Sequence, residues 1–256
     1  MRGEPSVNGM VAASGTRVAT KKSSAPPPGG RKAIYRSTVG AKAVMAVSGL
    51  LLLLFLVAHM AGNLKVFFGA ESFDSYAHWL RTIGYPVIPH VWYLWIQRFV
   101  LTAAVLGHAW AATTLALRAK RARPVAYAHR PKVQGSYAAR TMRWGGVIIL
   151  LFIVWHLLDL TTGTVNPVGD AAHPYANVVA DFAPSRWPVT LFYALAIVAI
   201  GFHVRHGLFS ALRTLGQRTA KGERRARVVA LGFAILLCVG FLSVPFAVLV
   251  GWVGSA

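Results

Sequence analysis

Five apolar runs, each near the length that crosses a bilayer, constrain this chain more than any other feature. They cover roughly residues 43–62, 91–117, 141–160, 188–212 and 228–250. A helix rises about 1.5 Å per residue, so about 20 residues span the hydrocarbon core. The second run is longer, and tilt or protrusion accommodates it. Backbone polar groups in lipid must be satisfied inside a helix or a closed barrel. A barrel needs an even set of short alternating segments, and none occur here. The expected fold is therefore an all-α membrane protein of five transmembrane helices. Charged residues make up only 13% of the chain, about half the share of an ordinary soluble domain.

Charge sets the orientation. The chain holds 27 Lys+Arg against 7 Asp+Glu, a net charge of +20. Such basicity can mark a nucleic-acid binder, but here it lies in blocks between the apolar runs. Residues 1–42 carry eight basic residues and one acid, residues 118–143 eight and none, and residues 205–227 seven and one. The other two connections, 63–90 and 159–187, are neutral and acidic respectively. If the runs alternate, all three basic blocks share one side. The positive-inside rule makes that side cytoplasmic, with the N-terminus inside and the C-terminus outside. The basic face meets anionic lipid headgroups and also offers a docking surface to a cytoplasmic partner.

Two regions follow. Residues 1–42 form a basic, Pro-rich lead-in with Pro26-Pro27-Pro28-Gly29-Gly30, expected to be partly disordered. A signal peptide would place its apolar core nearer the start. Residues 43–252 form the membrane domain. Its first outer connection contains Phe67, Phe68, Phe73, Tyr76, Trp79 and Tyr85, and is expected to include a short interfacial helix. Trp92, Tyr93 and Trp95 then open the second run as an aromatic belt. The second outer connection is rich in Gly and Pro, and Trp187-Pro188 opens the fourth run. The lone cysteine, Cys238, excludes an internal disulfide, a CxxC metal site and an iron–sulfur cluster held by this chain's own thiolates.

The histidines carry the chemistry. His59, His108 and His156 lie in the first three runs, His203 and His206 in the fourth, and none in the fifth. Ionisable groups in hydrocarbon are costly and usually face the bundle interior. A single one reads equally well as an interhelical hydrogen bond; the set is a pattern. The first and third runs point outward and the second and fourth inward. Counted by helical rise, His59 and His156 share a layer about 5 Å inside the outer boundary, and His108 and His203 a layer about 13 Å inside the inner one. Zinc asks for three or four protein ligands, and each layer supplies two. Haem iron needs only two, since the porphyrin supplies the rest. Two bis-histidine b haems stacked across the membrane therefore fit the spacing.

Residues around these layers are candidates for supporting roles. His206 lies on nearly the same face as His203, so one of the two is a ligand and the other a propionate, lipid or backbone partner. Gly49, Gly62, Gly107, Gly145, Gly146, Gly201 and Gly207 either admit a macrocycle between helices or serve ordinary small-residue packing. Arg98, inside the second run, is expected to be buried and to need an anion such as a haem propionate, or less readily a quinone carbonyl; snorkelling is the plain alternative. Arg143 and Arg205 lie near the inner end, where propionates or lipid phosphates would pair with them. Asp159, three residues after His156, is expected to face the outer aqueous side, either as a proton relay for quinone or as a simple interfacial carboxylate.

With these features in hand, the sequence resembles a known family. The stretches Lys42-Ala-Val-Met-Ala-Val-Ser48-Gly49, His59-Met-Ala-Gly-Asn63-Leu, Phe202-His203-Val-Arg-His206-Gly207 and Leu215-Gly216 resemble the membrane cytochrome b subunit of succinate dehydrogenases and fumarate reductases, in its single-chain, two-haem b558 form. The resemblance spans about residues 35–252. It implies ligand pairs His59–His156 and His108–His203, choosing His203 over His206, and it lets Ser48 face a haem or quinone. It also implies a bacterial cytoplasmic membrane, and an iron–sulfur subunit with a flavoprotein subunit docked on the cytoplasmic side. FAD, the clusters and the dicarboxylate site would then lie on those partners, and electrons would pass through the two haems to quinone, menaquinone in most members. The chain would be a subunit of the enzyme without its catalytic head. One departure stands out: the fourth run lacks the glutamate that proton-moving fumarate-reducing relatives use. Other readings are a fumarate reductase anchor, a dihaem cytochrome b serving another respiratory dehydrogenase, and a haem-free anchor or transporter.

Overall fold

The computed structural model describes residues 37–122, 137–214 and 219–254. Nearly all of the lead-in, and Arg123, Arg130, Lys132 and Arg218 of the basic blocks, lie outside the described residues. Among the described residues five helices are long and apolar enough to cross a membrane, which makes this an all-α, multi-pass membrane protein. They are α1 (Thr38–Asn63), α3 (Trp92–Arg121), α4 (Tyr137–His156), α6 (Trp187–Thr214) and α7 (Ala220–Leu249). Short helices α2 (Gly69–Thr82) and α5 (Pro174–Asp181) lie in the two connections at one end.

Local chemistry explains the boundaries. Ser37 Oγ accepts from Gly40 N at 2.9 Å and starts α1, and Thr219 Oγ1 accepts from Gly222 N at 3.1 Å and starts α7. Helix α2 is the short helix expected in the first connection, set off from a 3-10 turn by Gly69 at φ +88°. The second connection holds a helix that its Gly and Pro content obscured. Pro174 sits in the first turn of α5, where its missing N–H costs nothing, and Val178 is buried in the core.

Helix α6 packs closely on both α4 and α7, while α1 packs on α3 and α7. The α7 seam is built from small residues: Ala226, Ala230 and Ala234 are 3%, 0% and 5% exposed, which lets backbones approach. Gly201 of α6 faces Cys238, and Gly240 of α7 faces Met60 of α1, so closely that neither has room for a methyl group. The main buried cluster gathers Val66, Phe152, Val178, Phe182, Tyr193, Ala196, Val244 and Val248. It therefore sits at the end closed by α2 and α5, called here the capped end. The opposite, basic end carries Lys42, Arg118, Lys120, Arg121, Arg213 and Lys221.

Candidate paired-histidine site

The bundle brings the span histidines together two by two. The His59 and His156 rings, from α1 and α4, lie 5.7 Å apart by centroid and nearly perpendicular at 74°. The His108 and His203 rings, from α3 and α6, lie 6.1 Å apart at 62°. The first pair is at the capped end. The second is deeper, toward the basic end: His108 abuts Gly49, which precedes His59 on α1, so the layers are about 15 Å apart along the helix.

The separation of both pairs suits a metal held between them. Two imidazole nitrogens at about 2 Å on opposite sides of one metal put their ring centroids about 6 Å apart. Neither α1–α4 nor α3–α6 is among the closely packed helix pairs, so the rings reach across gaps. A methyl group at Gly145, Gly146 or Gly207 would meet nothing within 4 Å. Among the described residues no three His, Cys, Asp or Glu side chains converge as a metal site. A group needing only two protein ligands matches this donor set, and a bare ion needing four does not.

The surroundings of the rings differ. His59 stacks on Phe55 at 5.1 Å and lies 5.9 Å from Phe241. His156 packs against Phe152 at 5.8 Å and Tyr193 at 6.1 Å. The Nδ1 atoms of His156 and His203 are buried without a hydrogen-bond partner. His108 Nδ1 has one, Ser48 Oγ at 3.2 Å.

Two expected placements need correction. Asp159 does not face the aqueous side; it is 0% exposed. The helix loosens into a π-helical turn over Leu157–Thr161 just after His156, and this rotates Asp159 inward. Tyr193 donates to Asp159 Oδ2 at 2.7 Å, and Asn166 donates to Asp159 Oδ1 at 3.2 Å. Arg98 is exposed rather than buried, because it points outward from α3, and its guanidinium lies over the Trp95 ring at 4.9 Å. Arg143 and Arg205 are exposed near the basic end. His206 is half-buried one turn beyond His203. Of the two roles open to Gly62, the structure shows close packing: it admits the Tyr76 ring, to which a methyl group would come within 2.8 Å.

The sequence reading missed Asp181 and Arg186. Asp181 is 0% exposed and accepts from Arg186 at 3.0 Å. Burial, and then the neighbouring Asp159 carboxylate, push its pKa up to about 7, with Arg186 opposing. Asp181 therefore keeps its proton up to near neutral pH. No spacing rule joins residues 159, 181 and 193; the acid-rich second connection was the one available hint.

Comparison with known proteins agrees with this architecture. Residues 119–242 match the model of the succinate dehydrogenase/fumarate reductase transmembrane subunit family. That region includes His156 and His203. The chain is also 24% identical over 196 residues, 76% of its length and 88% of the relative's, to the succinate dehydrogenase cytochrome b558 subunit of Bacillus subtilis (strain 168). No solved structure matches it.

Proposed function

We propose that this chain is the membrane-anchor cytochrome b of a bacterial succinate:quinone oxidoreductase, holding two b haems. One observation carries the reading: two facing histidine pairs about 15 Å apart along the helix axes, each spanning a gap between helices. The family match and the similarity to a b558 subunit support it. His59 and His156 would hold the haem at the capped end, and His108 and His203 the haem at the basic end. When bound, each haem takes up and passes on a single electron. The chain itself positions the four imidazoles, keeps water from His59 and His156 with Phe55, Phe152, Tyr193 and Phe241, and holds a proton on Asp181 near Asp159. Asp159 serves there as the relay to quinone, menaquinone for this type of anchor. Arg143, Arg205 and His206 are the remaining candidates for propionate or quinone contacts, and Arg98 would have to swing off Trp95 to join them.

The basic end faces the cytoplasm in this reading, by the positive-inside rule. It docks an iron–sulfur subunit with a flavoprotein behind it, and those chains carry succinate oxidation. Reporter fusions after residues 130 and 220 are expected to read cytoplasmic, and one after 170 external. Purification in detergent is expected to yield two low-spin b haems per chain together with a flavin-bearing and an iron–sulfur protein. The complex reduces a menaquinone analogue with succinate, and the isolated chain does not. Recovery of a molybdenum or nickel–iron enzyme instead would reject the succinate assignment. A haem-free chain would reject the cytochrome.

A further inference from the structure

Only one of the four paired histidines has its second ring nitrogen tied down, and the bonds that tie it fix where its proton sits. Ser48 of α1 is 6% exposed. Its hydroxyl carries a single hydrogen, and Val44 O lies 2.6 Å away, with Met45 O at 3.3 Å. A carbonyl only accepts, so the Ser48 hydrogen goes to the backbone. Toward His108 Nδ1, at 3.2 Å, Ser48 Oγ is left with a lone pair. Nδ1 thus faces an acceptor and must carry the proton. In a neutral imidazole that leaves Nε2 with the free lone pair.

Gly49 completes the seat. A methyl group there would stand 3.3 Å from His108 Cε1 and 3.5 Å from Nδ1, tighter than the ring allows without moving. The imidazole therefore rests directly on the α1 backbone. Its partner His203 has nothing comparable, since its Nδ1 is buried and unpaired.

We infer that Ser48 and Gly49 are positioning residues that lock His108 in the Nδ1–H form and present Nε2 to the metal of the basic-end pair. The inference rests on the haem reading above and gives Ser48 a role on the ligand itself rather than on a propionate or quinone. An Nδ1–H bonded to an acceptor makes the imidazole a more basic ligand, which favours the oxidised metal. Loss of the acceptor therefore raises the reduction potential of the haem on His108 and leaves the other unchanged.

The test uses the complete complex with spectrally resolved redox titration and low-temperature EPR of the low-spin signals. Ser48→Ala is expected to shift one haem's potential upward and alter its EPR signal alone. Ser48→Thr, which keeps the hydroxyl, restores both. Gly49→Ala is expected to lower occupancy of that same haem severalfold. An unchanged potential in Ser48→Ala, or an equal shift in both haems, overturns the inference. A second measurement is independent of haem. Nitrogen-15 NMR of the histidine-labelled chain without haem is expected to show His108 protonated at Nδ1, and a tautomer mixture in Ser48→Ala. A wild-type His108 protonated at Nε2 overturns the seat. If wild type binds no haem yet shows the Nδ1 proton, the functional reading fails and the seat stands.

Discussion

The two ends of the bundle solve different problems. At the capped end, both connections fold back as α2 and α5, and the buried cluster, the Asp159–Asp181–Arg186–Tyr193 network and the His59–His156 pair crowd together. At the basic end, arginines and lysines stand exposed around the helix ends, and the His108–His203 pair is supported mainly by Ser48 and Gly49. The difference follows from charge. A nearly neutral end can satisfy its backbone and carboxylates internally. An end with many like charges repels itself, and its long side chains reach outward to phosphates or to a partner. The capped end is closed by the chain's own α2 and α5, while the described residues of the basic end present lysines and arginines outward.

The largest expected effect separates the two histidine layers. Under the proposed two-haem reading, His203→Ala is expected to remove the basic-end haem while the capped-end haem keeps its spectrum, and His206→Ala to leave both in place; haem per chain and optical spectra measure this. Loss of both haems from His203→Ala would show that the layers are not independent.

Next comes the buried network. Tyr193→Phe keeps the ring against His156 but deletes the 2.7 Å bond to Asp159. A buried hydrogen bond to a charged acceptor is worth about 2 kcal/mol, so thermal unfolding in detergent should fall by several degrees. Ser48→Ala, whose hydroxyl bonds neutral groups, is expected to cost about half as much.

A smaller effect depends on pH. The folded state holds the Asp181 proton up to about pH 7, well above the ordinary carboxylate value of 3.8. Between those values the folded chain binds more protons than the unfolded one, so stability is greatest at low pH and falls as pH rises through about 7. Melting curves from about pH 5 to pH 8 should show this decline. Asp181→Asn should flatten it.

The smallest effect is at the basic end. Arg227 pairs with Glu223 at 2.8 Å on the exposed first turns of α7. Screening and side-chain entropy cancel most of such a contact. Arg227→Ala should leave the melting temperature unchanged, in contrast to a substitution of Arg186 beneath the cap.

How much of this was written in the sequence differs between features. Run length and hydropathy are local quantities, and they were enough for five helices and their approximate ends. Helical rise is fixed, so His59 could be matched in depth to His156, and His108 to His203, before any helix was placed. Burial is not local. Arg98 and Asp159 were read oppositely to where they lie, because one residue's side of a helix depends on its neighbours and, for Asp159, on a π-helical turn that no pattern announces. Helix α5 was hidden because its glycine- and proline-rich surroundings read as loop. The Asp159–Asp181 pair and the Ser48–Gly49 seat join residues that are 22 and about 60 positions apart. Chemistry along the chain determined the spans, the depths and the charge asymmetry. Packing between helices alone decided which polar atoms meet, because a hydrogen bond depends on ångström-scale approach between segments that the sequence separates.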